Sequence, residues 1–224
     1  MNIYDIVNTR RSTRDYLEKD VPIATIKRVL NYALRTPSGG NLQPWHIHVV
    51  SGNSLAKLKA KMKNQILTQT KAQAETPEYD IYPSNLKSPY RERHSQVGEA
   101  LYGKLNILRE DKLARHQWFL RNFEFFGAPV GLFFSIDRTM GAAQWSDLGM
   151  LMQTVMLLLK EEGLDSCAQE CWSLYPKTLG EFLALPQAHM LFAGMAVGYG
   201  NHDNPVNQLR TERASPENVI QYML

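Results

Sequence analysis

The chain has 224 residues, of which 44% are hydrophobic and 21% charged, with 25 basic residues against 22 acidic ones. This is the balance of a globular chain with a sizeable core, and it excludes collagen, low-complexity and extended disordered proteins. A net charge of +3 is too small to argue for a nucleic-acid partner, so any cationic chemistry must sit in local clusters.

Residues Met1–Asp5 show no basic region leading into an apolar one, so no signal peptide is expected. Ile3–Thr9 reads as a short helix, and Arg10-Arg11-Ser12-Thr13-Arg14 follows it. Pro22 suits the first position of a second helix, in which Ile23, Ile26, Val29, Leu30, Ala33 and Leu34 recur at helical spacing. Thr36-Pro37-Ser38-Gly39-Gly40-Asn41 breaks that helix. Trp45–Val50 alternates as a strand, with His46 and His48 on one face and Ile47 and Val49 on the other. Leu55, Leu58, Met62 and Ile66 mark an amphipathic helix. Thr76–Pro89 contains Pro77, Pro83 and Pro89, and reads as a long surface loop of the kind that is often functional.

Helices are expected over Gln96–Leu108 and Asp111–Phe123, and a buried strand over Val130–Ile136. Asp147 is placed to cap a helix running to about Glu162, with Gly163 ending it. That helix is apolar almost all round, so it needs cover on every side, at the centre of a core or in a dimer interface. Leu191–Val197 predicts a last strand, and the tail Asn207–Leu224 has few core residues. Helices and strands mix without strict βαβ alternation, which favours one α+β domain spanning 1–224. No stretch has the length to span a bilayer, so a soluble cytoplasmic protein is expected, with no membrane partner.

Three constellations could carry chemistry. Arg10, Arg11, Ser12 and Arg14 form a dense donor set matched to phosphate oxygens, although a solvated basic turn would look the same. Asn207-Gln208-Leu209-Arg210-Thr211-Glu212-Arg213 offers two more arginines, and the two clusters could grip one dianion if the chain ends meet. Pro37-Ser38-Gly39-Gly40-Asn41-Leu42-Gln43 combines glycines for close approach with hydroxyl and amide groups that can read a heterocycle edge; a plain helix-to-strand turn is the alternative.

Other signals are weaker. His46 and His48 lack a third ligand, so no metal site is expected. Cys167 and Cys171 are not spaced as CxxC, and Gly198-Tyr199-Gly200 lacks the third glycine of a dinucleotide fingerprint. Tyr82 and Tyr90, in or beside the proline-rich loop, are the candidate contacts for a small aromatic substrate.

Arg10-Arg11-Ser12-Thr13-Arg14, Pro37-Ser38-Gly39-Gly40-Asn41-Leu42-Gln43-Pro44-Trp45 and Leu209-Arg210-Thr211-Glu212-Arg213 resemble the three FMN-binding segments of the nitroreductase family. The helix ending at Gly163, followed by Gln169-Glu170-Cys171-Trp172, resembles the family's central helix and flavin-edge loop. Pro89–Arg93, Leu101-Tyr102 and Phe125–Pro129 look most like the branch with nitrobenzoate reductases. The resemblance implies a three-layer α/β/α sandwich with a mostly antiparallel central sheet, a long central helix and a homodimer with exchanged terminal arms. It implies an FMN-dependent enzyme with NAD(P)H as donor and a nitroaromatic or quinone acceptor, working by a ping-pong mechanism. Enones, halogenated phenols or flavin are alternative acceptors, and a non-redox phosphate-binding module is the alternative outside redox chemistry. Arg10, Ser12, Arg210 and Arg213 would hold the FMN phosphate, with Arg11 a further cofactor-binding residue and Arg14 near the N1/O2 edge of the ring. Pro37, Ser38, Gly39, Asn41 and Gln43 would come from the second subunit. Gln169, Glu170 and Cys171 would flank the ring, with the Glu170 backbone facing N5. The family often has glycine where this chain has Cys171, which is expected to narrow the pocket or shift the backbone.

Overall fold

The structure is a computed structural model that describes residues 2–70 and 73–224. Its helices, in chain order, are α1 (Ile3–Thr9), α2 (Ile23–Ala33), α3 (Gly52–Thr68), α4 (Tyr90–Lys104), α5 (Lys112–Leu120), α6 (Ala142–Glu161) and α7 (Pro176–Leu183). Its strands are β1 (Trp45–Ser51), β2 (Val130–Asp137), β3 (Asp165–Gln169) and β4 (His189–Gly198). They form one antiparallel sheet in the order β1-β2-β4-β3.

The central strands are mostly apolar, with Ser135 the buried polar exception in β2, because both faces of the sheet are covered. Val130, Leu132, Phe134 and Ile136 of β2 pack into one cluster with α2 and α6, whereas Phe133 enters a second cluster with α3 and α7. The result is the expected α+β arrangement, with helices on both sides of a sheet. Among the described residues no helix is long and apolar enough to cross a membrane.

Several boundaries differ from expectation. Asp147 does not cap α6. The helix starts earlier, after Gly141, whose N–H donates to the Gln144 side chain at 3.2 Å. Asp147 is buried inside the helix and accepts the Gly39 N–H at 3.2 Å. The helix expected over Gln96–Leu108 runs instead over Tyr90–Lys104; it buries no residue, so no apolar stripe marked its limits. Asp111 caps α5, accepting the Ala114 N–H at 2.9 Å. The helix expected to reach Phe123 ends at Leu120, and a tight turn over Arg121–Gly127 follows, with Phe125 and Phe126 at positive φ. β3 and α7 carried no clear signal, β3 because Asp165, Ser166 and Gln169 are polar yet buried. The 75–89 segment has no helix or strand, as expected of a loop. Gly163 sits at φ +71 after α6, the left-handed position that ends the helix.

Two rings explain why the sheet can hold the turns so close. A Cβ on Gly131 would lie 2.4 Å from the Phe125 ring, and one on Gly194 would lie 2.3 Å from Cδ1 of Trp172. Trp172 is fully buried and donates through Nε1 to the Gln169 side chain at 3.2 Å. The turn that begins at Glu170 therefore rests on β4 only because residue 194 has no side chain. Gly194→Ala is expected to destabilise the fold by about 1–3 kcal/mol through overpacking, measured as a lowered midpoint in thermal or urea unfolding.

Candidate functional site

The segment after α1 lies along the sheet edge. The Thr13 N–H donates to the Ser166 carbonyl at 3.0 Å and the Leu17 N–H to the Tyr199 carbonyl at 2.8 Å, bracketing Arg14 and Asp15. The chain then returns after β4. Asn207, only 1% exposed, stitches the two passes together. Its Oδ1 accepts the Arg14 N–H at 2.7 Å, and its Nδ2 donates to the carbonyls of Asp15 and Asn201, both at 2.7 Å.

This stitch brings the two arginine clusters to one cleft of about 1030 Å³. Arg10, Arg11, Ser12, Arg14, Arg210 and Arg213 all line it. An apolar wall of Ile3, Tyr4, Val7, Val97 and Leu209 faces them, which the sequence pattern did not reveal. Burial and the neighbouring Arg213 lower the Arg10 guanidinium from its ordinary value, as converging like charges must.

The guanidinium groups are held by neutral oxygens. Arg11 donates to the Asn207 carbonyl at 2.8 Å, Arg14 to the Ser12 carbonyl at 3.3 Å and Arg210 to Asn8 Oδ1 at 2.6 Å. Arg213 donates to Thr211 Oγ1 at 2.7 Å and to the Glu212 carbonyl at 2.9 Å. Elsewhere, buried acids do pair with bases: Asp165 is 2.8 Å from Lys160 and 3.0 Å from His202. The cleft is thus oriented without being neutralised, which is the donor set a phosphate dianion requires.

The amide turn lies elsewhere in the chain. None of Pro37, Ser38, Gly39, Asn41 and Gln43 lines the cleft. Asn41 at φ 56 and Gln43 at φ 49 are strained for residues with side chains. The turn is fixed by the Gly39–Asp147 bond and by the Gln43 N–H, which donates to Ser38 Oγ at 2.9 Å. Pro37, Gly39, Asn41 and Gln43 are otherwise exposed.

The 169–171 segment needs a correction. Gln169 donates to the Asn122 carbonyl at 2.9 Å and to Asn122 Oδ1 at 3.0 Å, while accepting from Trp172. Its side chain is therefore committed to the fold. Cys171 is buried in the core beside Trp172, and burial pushes its thiol well above the ordinary range. Its side chain does not narrow a pocket. Only backbone groups at these two positions remain for a ligand, whereas Glu170 stays exposed.

Tyr82 meets this region. Its phenol is raised from the ordinary value by burial and by the Glu170 carboxylate, against the pull of Arg14. Tyr82, Arg14 and Glu170 therefore share one electrostatic neighbourhood. Tyr90 begins α4, is exposed, and does not line the cleft. His46 and His48 stay together, with the His46 ring 4.2 Å from that of His189. Among the described residues no group of three or more His, Cys, Asp and Glu can hold a metal. Both cysteines are free.

A three-layer α+β fold thus carries a cleft lined by five arginines and Glu212, with no ion pair to these arginines found among the described residues, and such a donor set suits a phosphate-bearing ligand. Comparison with known proteins gives the family. The nitroreductase family model matches residues 7–199, and the chain belongs to that family. It is 33% identical over 221 residues to chloronitrobenzene nitroreductase of Comamonas testosteroni, covering 99% of this chain and 96% of that one. It is 32% identical to 4-nitrobenzoate reductase of Pseudomonas putida, covering 97% and 94%. Among solved structures, the FMN and NADPH-dependent nitroreductase NfnB from Sphigopyxis sp. strain HMH matches with a TM-score of 0.95 and 41% identity, covering 100% and 99%.

The stitch is testable without a ligand. Asn207→Ala would leave the Arg14 N–H without its acceptor, while the Asp15 and Asn201 carbonyls would keep the N–H groups of Asn201 and Asn204; it is expected to cost roughly 1–3 kcal/mol, measured by urea unfolding.

Proposed function

We propose that the chain is a homodimeric, FMN-dependent oxidoreductase that takes hydride from NAD(P)H and reduces nitroaromatic or quinone-type acceptors by a ping-pong mechanism. The whole chain, 1–224, acts as one FMN-binding domain in the cytoplasm. The observation that carries this reading is the convergence of Arg10, Arg210 and Arg213 on one cleft with no carboxylate partner among the described residues.

The residues fit FMN. Arg10, Ser12, Arg210 and Arg213 hold the phosphate, and Arg11 braces the loop that carries them. Arg14, which shares its surroundings with Tyr82 and Glu170, places positive charge at the N1/O2 edge of the ring. Bound FMN supplies N5, the ring position that accepts hydride from the nicotinamide and gives it to the acceptor. The protein contributes position, charge and exclusion of water. The Glu170 backbone would lie toward the flavin edge, where the Trp172 anchor would hold it.

The second subunit supplies Pro37, Ser38, Gly39, Asn41 and Gln43. Support comes from their distance from the cleft of their own chain and from what the chain leaves uncovered. Met150 on α6 is 42% exposed, Met156, Leu157 and Leu158 are half-buried, and Val219, Ile220, Tyr222 and Leu224 of the tail are exposed. A second copy would cover these faces, with the tails exchanged as arms.

Steady-state turnover of a nitroarene with NADPH by the yellow holoprotein tests the reading; colourless protein that FMN does not reconstitute would sink it. Arg213→Ala, whose side chain bonds only to its own neighbours, is expected to weaken FMN binding by about 1.5–3 kcal/mol, read by titration of flavin fluorescence. Arg14→Ala is expected to retain FMN but lower its two-electron potential by about 30 mV, a tenfold change in the equilibrium, and to slow flavin bleaching by NADPH. A spectroelectrochemical titration that finds an unchanged potential would contradict the role of Arg14.

A further inference from the structure

We infer that His94 is a positioning residue for the acceptor: its ring fixes Tyr82 as an aromatic wall that selects flat substrates. This rests on the proposed flavin chemistry and names the group that sets acceptor binding at the same site.

The 75–89 segment is fastened to the body of the fold at its start and runs into α4 at its end, where the Lys87 and Pro89 carbonyls accept the N–H groups of Arg91 and Arg93 at 3.0 and 3.2 Å. Glu75 accepts the Lys177 N–H at 2.6 Å, at the beginning of α7. The Glu78 carboxylate takes two hydrogen bonds from Arg138, at 2.6 and 2.8 Å, and the Glu78 N–H donates to the Ser173 carbonyl at 3.2 Å. Tyr79 lies on Phe192, stacked at 5.6 Å, and its hydroxyl donates to the Phe192 carbonyl. Beyond Tyr79 these fastenings end, and three residues later Tyr82 stands 58% exposed. The ring that meets it is His94, edge-on at 4.7 Å and 67°.

His94 can do this because α4 is braced from outside. Arg115 of α5 grips the Glu99 carboxylate at 2.9 and 3.0 Å and lies 4.2 Å over the Tyr102 ring. One turn along from His94, Val97 reaches the wall of the arginine cleft. The helix buries nothing of its own, so its register at the site depends on these contacts and on the Tyr82–His94 pair. One T-shaped neighbour restricts the Tyr82 ring and can cover no more than one of its faces, so the ring, 58% exposed, keeps a face for a stacking partner. The phenol end is already within the influence of Arg14 and Glu170. With His94 against Tyr82 and Val97 of the same helix at the wall of the arginine cleft, a planar ring stacked on Tyr82 would lie on the side of the proposed FMN site.

The test uses the holoprotein with NADPH and two acceptors: nitrobenzene, which can stack, and ferricyanide, which takes electrons without a ring contact. His94→Ala is expected to raise KM for nitrobenzene about three- to tenfold. Ferricyanide turnover and the rate of flavin bleaching by NADPH should stay within about twofold. His94→Phe, which restores an edge-on ring without the imidazole, should return KM to within about twofold of wild type. An unchanged KM in the alanine variant, a phenylalanine variant no better than alanine, or a parallel fall with ferricyanide would each overturn the assignment. Wild-type protein that is not bleached by NADPH would instead overturn the flavin reading beneath it.

Discussion

The fold depends on holding like charges together without cancelling them. Arginines from residues 10–14 and 210–213 converge, and Arg10 feels both its burial and Arg213. Carboxylates would relieve that repulsion, but they would also occupy the site. The chain uses amide, carbonyl and hydroxyl oxygens instead, which orient the guanidinium groups of Arg11, Arg14, Arg210 and Arg213 and leave their charge available. Asn207 is the centre of this solution. A neutral amide can accept from the Arg14 N–H on one side and donate to two carbonyls on the other, so it closes the chain ends and stays uncharged. An aspartate there could accept but not donate, and it would bury a negative charge beside the cleft.

The second constraint is the contact between the sheet and the turn after β3. Trp172 presses on Gly194, is held by Gln169, and meets Phe123, Phe125 and Phe133 in a set of ring contacts. Gln169 is also bound to Asn122 in the turn that follows α5. These links make the Glu170 backbone part of the core although the Glu170 side chain is exposed. Precision at the site therefore comes from packing behind it, and the polar groups in front remain free to act. Polar residues at 165 and 169 are the consequence: the buried side chains of Asp165 and Gln169 satisfy Lys160, the Gly200 N–H and the Asn122 carbonyl, which a hydrophobic residue could not do.

Much of this was legible in the chain. Strands β1, β2 and β4 and helices α1, α2, α3 and α6 show periodicity or apolar runs because each buries a defined face. The arginine clusters were visible as donor sets, and their convergence followed once the chain ends met. The elements that escaped share a physical cause. Helix α4 buries no residue, so no stripe marked its ends. Strand β3 is buried yet polar, so it resembled a loop. Asp147 looked like a helix cap because an acid before an apolar run usually is one, whereas its partner, Gly39, lies 108 residues away in sequence. Gln169 and Cys171 were read as ligand contacts from their place beside Glu170. Which way those side chains turn is decided by Trp172 and Asn122, and no local pattern encodes that.

Helix α6 connects these features. It buries Leu148, Leu151, Met152, Val155 and Leu159 against the sheet, holds the amide turn through Asp147, and touches α1 at the wall of the arginine cleft. Its opposite face, with Met150, Gln153 and Leu157, is left partly open by its own chain. One helix thus carries the turn on one side, the cleft on another, and an apolar surface between that a monomer does not fill. The proposed dimer needs the turn of each copy to reach the cleft of the other, and this uncovered face is where such a pairing would bury apolar surface. The Gly39–Asp147 bond then matters beyond one chain: a buried carboxylate in the dimerising helix would fix the amides offered to the partner's cofactor.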